Sequence, residues 1–181
     1  MAEAVLAVLL VANLFLTFGV IRRLREHTVR LAAIEHPSES GLGVGAAVPD
    51  FHAATTEGSA VSLADLRDAV TVVSFVATGC HSCEEHLPTI RSKGAAAVAG
   101  GARALAVVVN VRGERVEADQ LIAAVSGPGA VVEESLGGEL QRAFGVKRYP
   151  SFFLVAPDAT IMATPGSASE LPAIELRTSA K

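Results

Sequence analysis

Three short apolar runs, rich in β-branched residues, dominate the sequence after residue 70. They cover residues 71–76, 103–110 and 151–155. Runs of this length and composition are typical of buried strands. Between the second and third runs, residues 116–125 and 139–144 have helical character and residues 130–133 predict a further short strand. This alternation of strand and helix predicts parallel strands in the central sheet of an α/β sandwich.

Turn and cap residues mark the ends of this pattern. Pro157-Asp158 predicts a hairpin that leads from the third run into an antiparallel strand at residues 160–164. Upstream, the sequence SLAD at residues 62–65 has capping-box spacing and predicts a brief helix that ends near Asp68. Ser169 is placed to cap a last helix near the end of the chain.

The first part of the chain has a different pattern. Residues 4–21 form an uncharged apolar run, about as long as a helix needs to cross a bilayer. Four arginines follow this run, whereas a cleaved signal peptide has its basic residues before it. We therefore predict a transmembrane anchor at residues 1–22, a juxtamembrane segment and linker at 23–47, and a folded domain at 48–181. A buried core helix is the alternative for the apolar run.

Composition narrows the possible partners. The 181 residues suffice for one domain with a core. The net charge is −4 and aromatic residues make up 4% of the chain, so the sequence has neither a basic surface nor stacking residues for nucleic acid. We expect no nucleic-acid partner, and we expect the membrane to be contacted through the N-terminal helix.

The two cysteines carry the candidate chemistry. Cys80 and Cys83 are three residues apart, between the first predicted strand and a helix. At a helix N-terminus the free N–H groups favour a thiolate, so Cys80 is the predicted nucleophile and Cys83 the resolving thiol. A zinc site completed by His81 and His86 is an alternative, although a second cysteine pair is missing from the sequence. A purely structural disulfide is another, but it would close too small a loop to stabilise much.

These features resemble the thioredoxin superfamily, in particular the membrane-tethered TlpA/ResA-like thiol–disulfide oxidoreductases and the MauD-type accessory proteins. The resemblance covers roughly residues 48–173 and depends on the CxxC motif, on Leu87-Pro88 after it, and on Tyr149-Pro150 before the third strand. It implies a thioredoxin-like three-layer sandwich with a central mixed sheet. It also implies a cis Pro150 that, with Tyr149, binds substrate beside the disulfide. Protein thiols or disulfides would be the clients, with no cofactor and no bound metal.

Departures from the family pattern identify further candidates. Gly79 replaces the usual tryptophan before the first cysteine, and Ser74 replaces the buried aspartate six residues before it. His86 stands where ResA-like members carry an acid and is a candidate proton acceptor for Cys83. His81 in its cationic form would stabilise the Cys80 thiolate. We therefore expect Gly79, His81 and Ser82 to tune the motif.

Two other activities, peroxide reduction and copper delivery, fit the sequence less well than thiol–disulfide exchange. A peroxiredoxin would need Pro, three residues, Thr or Ser, two residues and then the cysteine, and neither cysteine fits. A copper-delivery protein would normally have a wider cysteine spacing and a distant histidine. A maturation factor for one disulfide-containing enzyme, as the MauD resemblance suggests, would keep the exchange chemistry.

Two signals disagree on which side of the membrane the folded domain lies. The four arginines after the apolar run favour a cytoplasmic domain. The resembling families work outside the cytoplasmic membrane, where disulfides persist. We expect a single-pass protein of the cell membrane with an extracytoplasmic domain, and the cytoplasmic side stays the alternative.

Overall fold

The computed structural model describes residues 41–172. The predicted anchor, residues 23–40 of the predicted juxtamembrane segment and linker, and the last nine residues lie outside this range, so the proposed domain boundaries stay predictions. No helix within residues 41–172 is both long enough and apolar enough to cross a membrane.

Seven strands and three helices make up the described domain. The strands are β1 (His52–Ala54), β2 (Ala60–Ser62), β3 (Thr71–Ala77), β4 (Arg103–Asn110), β5 (Ala130–Ser135), β6 (Ser151–Val155) and β7 (Ile161–Ala163). The helices are α1 (His81–Ala99), α2 (Arg115–Val125) and α3 (Glu139–Phe144), with short 3-10 helices at Leu63–Leu66 and Ala168–Glu170.

The main sheet is mixed and has the strand order β5-β4-β3-β6-β7. Strands β3, β4 and β5 are parallel, whereas β6 pairs antiparallel with β3 and β7 pairs antiparallel with β6. Strands β1 and β2 form a separate antiparallel pair. The predicted α/β architecture with a central mixed sheet and a closing hairpin is therefore confirmed.

The sheet separates two hydrophobic clusters because alternate side chains of a strand point to opposite faces. Val73 and Phe75 of β3 belong to the first cluster, together with residues of α3 and β2. Val72 and Val76 belong to the second, together with residues of α1 and α2. Every residue of β3 is buried, as expected of a strand covered on both faces.

Local signals were correct at several positions and wrong at one. Asp65 Oδ2 accepts hydrogen bonds from Ser62 N at 2.8 Å and from Ser62 Oγ at 3.0 Å, as the SLAD spacing predicts. Ser169 does not cap a helix: it lies inside the Ala168–Glu170 turn, whose N-cap is Ser167. Ser167 itself makes no side-chain capping hydrogen bond, and residues after 172, where most of the predicted last helix would lie, are outside the described range.

Candidate functional site

A disulfide joins Cys80 and Cys83 at the start of α1, with their Cα atoms 5.2 Å apart. Cys80 is the N-cap of this 19-residue helix, and its Sγ accepts a hydrogen bond from Cys83 N at 3.2 Å. Cys80 is partly exposed, whereas Cys83 has an exposed fraction of 0%. One sulfur is therefore accessible at the positive end of a helix dipole, and the other is protected beneath it.

The loop before Cys80 is held by hydrogen bonds to β4 and to Val111, the residue that follows β4. Thr78 N donates to Val109 O at 3.0 Å, and Thr78 Oγ1 accepts from Val111 N at 2.9 Å. Gly79 then has a φ of +72°, and a Cβ at this position would have no atom within 4 Å. Glycine is therefore favoured at this position because of the positive φ, and not because a side chain would be crowded.

Glu117 is a site residue that the sequence reasoning missed. It lies in the first turn of α2, is partly buried, and its Oε1 accepts a hydrogen bond from Gly79 N at 2.5 Å. A carboxylate is thus hydrogen-bonded to the backbone N–H of the residue directly before the accessible cysteine. In the sequence this residue is an ordinary acidic residue at a helix start, and no motif connects it with Cys80.

The two residues between the cysteines are exposed. His81 has a side-chain exposure of 87%, and its ring nitrogens lie 3.7 Å from Glu84 Oε2 and 3.6 Å from Glu85 Oε1. When protonated, His81 forms ion pairs with these carboxylates in addition to any interaction with the thiolate. Ser82 Oγ lies 3.5 Å from Cys80 Sγ. Their tuning roles stay predictions.

His86 and Ser74 lie on the side of the sheet that α1 covers. The partly buried His86 ring meets the Phe152 ring edge to face, with the ring centroids 6.1 Å apart. Its role as a proton acceptor for Cys83 stays a prediction. Ser74 is buried in β3, at the position where many thioredoxins carry an aspartate.

The Tyr149–Pro150 peptide bond is cis, as the resemblance implies. Ser151, the next residue, pairs with Phe75 in the antiparallel register of β6 and β3. Extending this register places Pro150 at the edge of the sheet where β3 ends and the cysteine loop begins. Tyr149 and Cys80 also both pack against the two hydrophobic clusters. The topology therefore brings the predicted substrate-binding pair and the disulfide to the same edge.

The Tyr149 hydroxyl is connected to buried polar groups that were not predicted. It donates to Gln141 Oε1 at 2.7 Å, and Gln141 Nε2 donates to Glu134 Oε2 at 3.1 Å. Burial raises the pKa of Tyr149 above its ordinary value, and the negative charge of Glu134 raises this pKa further. A buried carboxylate thus influences the residue that precedes Pro150.

Solved structures share this fold. A structure provisionally assigned as thiol:disulfide interchange protein DsbE from Chlorobium tepidum is 27% identical, with a TM-score of 0.56, and the alignment covers 68% of this chain and 84% of that chain. The thioredoxin domain of a thiol-disulfide oxidoreductase from Bacteroides vulgatus is 20% identical, with a TM-score of 0.59 and coverages of 72% and 93%. StoA from Bacillus subtilis is 23% identical, with a TM-score of 0.53 and coverages of 68% and 94%. The last two likenesses concern the fold alone.

The family model places the chain more directly. Comparison with curated proteins finds no match. The model described as the AhpC/TSA family matches residues 44–164, which includes the CxxC motif, the Glu117 helix and the Pro150 loop. The chain therefore belongs to the AhpC/TSA family and is a thioredoxin-like thiol-disulfide oxidoreductase.

Proposed function

We propose that the domain exchanges dithiols and disulfides with protein clients, with Cys80 as the nucleophile and Cys83 as the resolving thiol. The difference in exposure between the two sulfurs is the observation that supports this assignment. Cys80 lies at the surface at the N-terminus of α1, and Cys83 is fully buried one helical turn further on. A client sulfur can reach the first and is excluded from the second.

The reductive direction illustrates the chemistry. The Cys80 thiolate attacks one sulfur of a client disulfide, forming a mixed disulfide and releasing the second client sulfur as a thiolate. The Cys83 thiol loses its proton and attacks Cys80 Sγ, which restores the Cys80–Cys83 disulfide and releases the first client sulfur. The client gains two electrons and two protons, and the dithiol of the domain is oxidised. Oxidation of a client follows the same steps in reverse.

The backbone beside Pro150 is the candidate docking strand for such a client. It lies at the sheet edge where the disulfide is found, next to the partly exposed Tyr149. An extended client segment can pair with exposed main-chain groups there. In the same proposal, a client that is one specific enzyme would make the protein a maturation factor.

Peroxide reduction and metal delivery are less well supported. Ala77, three residues before Cys80, is buried in β3 and carries no hydroxyl to assist a peroxidatic cysteine. Within residues 41–172, no group of three or more His, Cys, Asp or Glu side chains is placed to hold a metal ion.

Trapping of the mixed disulfide tests the proposal. Cys83→Ser should accumulate a covalent complex with a disulfide-containing protein such as insulin, because the resolving thiol is missing. Cys80→Ser is the matched control and should trap nothing, since its remaining thiol is buried. Trapping by Cys80→Ser alone would contradict the assigned roles. Consumption of hydrogen peroxide by the reduced domain, without turnover of insulin, would support the peroxidase instead.

We further propose that residues 1–22 anchor the protein in the cell membrane with its domain on the extracytoplasmic side. The support is the uncharged run at residues 4–21 together with the location of the resembling families. A membrane-impermeant maleimide, added to intact cells after mild reduction, should label Cys80. Labelling that appears only after lysis would place the domain in the cytoplasm.

A further inference from the structure

Glu134 is a buried acid that the exchange chemistry does not use. It lies in β5 with an exposed fraction of 9%. Oε1 accepts from Leu140 N at 2.7 Å, and Oε2 accepts from Gln141 N at 3.2 Å and from Gln141 Nε2 at 3.1 Å. The carboxylate also lies against Gly138, where there is no room for a side chain. These contacts hold the carboxyl group in one place at the start of α3.

Gln141 has its side-chain amide fixed by four hydrogen bonds. Nε2 donates to Glu134 Oε2 and, at 2.8 Å, to Ser135 O. Oε1 accepts from Gly137 N at 3.1 Å and from Tyr149 Oη at 2.7 Å. Both donors and both acceptor sites of the amide are occupied, so a reversed amide would place its NH₂ group against Gly137 N–H.

The orientation of this amide determines what Tyr149 can do. Because Oε1 only accepts, the Tyr149 hydroxyl must donate its proton to it, and a deprotonated phenol would lose the bond. The phenol is therefore held in its neutral form at a fixed position, and Pro150 follows it directly in the chain. The sequence of contacts from Glu134 through Gln141 to Tyr149, which we name the Glu134 relay, links the end of β5 to the start of β6.

We propose that Glu134 is a positioning residue for the client-binding loop: it orients the Gln141 amide, which holds the Tyr149 hydroxyl and with it the loop that enters Pro150. This inference rests on the proposed function only in that the loop is taken to bind a client. The relay itself is a property of the folded domain and can be measured without any client.

The chain has one tyrosine and no tryptophan, so ultraviolet absorption and fluorescence of the phenol report on Tyr149 alone. In Glu134→Gln the negative charge is gone and the amide of Gln141 is no longer held by a carboxylate. We expect the phenol of this variant to titrate at lower pH than in the parent protein. Glu133→Gln is the matched control: it changes the neighbouring glutamate, which contacts Asn110 and Arg115, and should leave the titration unchanged.

The second measurement separates KM from kcat in insulin reduction. Tyr149→Phe removes only the hydroxyl, so it should fold, and the loss of one hydrogen bond should raise KM roughly two- to tenfold with little change in kcat. Glu134→Gln should raise KM in the same direction, and the Glu133→Gln control should not.

Outcomes of the two measurements are distinguishable. A phenol titration in Glu134→Gln that matches the parent overturns the relay, as does a parental KM in Tyr149→Phe. If the titration shifts but no variant, nor the parent, reduces insulin, the relay stands and the proposed exchange function fails. Should Glu134→Gln not fold, the KM of Tyr149→Phe decides the matter.

Discussion

Neutralising Glu117 should make the disulfide a stronger oxidant. Glu117 accepts a hydrogen bond from the peptide N–H of Gly79, the residue before Cys80, so its negative charge lies on the loop that presents the sulfur that becomes a thiolate on reduction. Glu117→Gln keeps an oxygen that can accept this N–H and removes only the charge. Reduction then places a thiolate next to a neutral amide, which stabilises the reduced form relative to the parent protein.

The magnitude follows from Coulomb's law. Two unit charges on the order of 6 Å apart interact with roughly 0.7 to 2.8 kcal/mol at effective dielectric constants between about 80 and 20. Because Glu117 and Cys80 are both partly exposed, solvent screening favours the lower part of this interval, about 1 kcal/mol. For a two-electron couple, about 1 kcal/mol corresponds to a reduction potential that is less negative by about 20 mV.

Equilibration with glutathione at a series of redox ratios measures this potential. Glu114→Gln is the matched control: it removes an exposed glutamate at the N-cap of the same helix, where no side-chain capping hydrogen bond is made. Its potential should stay close to that of the parent. Glu117→Ala removes the hydrogen bond as well as the charge and separates the two contributions. An unchanged potential in Glu117→Gln, or a shift to more negative values, would refute the electrostatic reasoning.

Three further predictions concern stability. Phe144 has no exposed surface, and its ring centroid lies 5.1 Å from that of Phe153 and 5.4 Å from that of Phe75. Phe144→Ala should therefore lower the free energy of unfolding by about 3 to 5 kcal/mol in urea titrations. A loss below about 1 kcal/mol would mean that the core repacks around the missing ring. Gly79→Ala should lower the free energy of unfolding by about 1 to 2 kcal/mol, because alanine is strained at a φ of +72° although space for its side chain is available. An unchanged urea midpoint would argue against this backbone conformation. Because the folded pKa of Tyr149 lies above its ordinary value of 10.0, the stability it contributes is complete below about pH 10 and is lost as the pH rises through the folded pKa. Tyr149→Phe should not show this alkaline loss, and parallel stability curves for the two proteins would contradict it.

Much of the fold could be predicted because local signals and tertiary packing agree. The strands at 103–110 and 151–155 have the predicted bounds, since each contains an apolar stretch that is buried on both faces of the sheet. The helix Glu139–Phe144 ends where Gly145 adopts a φ of 65°. Strand β2 was missed because three residues, of which only Val61 is fully buried, leave no periodic pattern.

The site was predictable only as far as its motifs extend. Cys80, Cys83 and the cis Tyr149–Pro150 bond follow from the CxxC spacing and from the family resemblance. Glu117 contacts a residue 38 positions earlier in the chain, and this pairing depends on how α2 packs against α1 and β4. Gln141 and Tyr149 are 8 positions apart and meet only because α3 ends in a turn that returns the chain to the sheet. Contacts of this kind are set by tertiary packing and leave no local signature.

Cys80 and Tyr149 each touch both hydrophobic clusters, so the redox site lies where the two layers of the core meet. Because the disulfide contacts the core, the stabilities of the oxidised and reduced domains and the reduction potential are linked in one thermodynamic cycle. Any core substitution that destabilises the oxidised domain more than the reduced domain must raise the reduction potential by the equivalent free energy, whichever layer it lies in. The potential of this disulfide is therefore a property of the whole domain, and it can change through residues that never approach a sulfur atom.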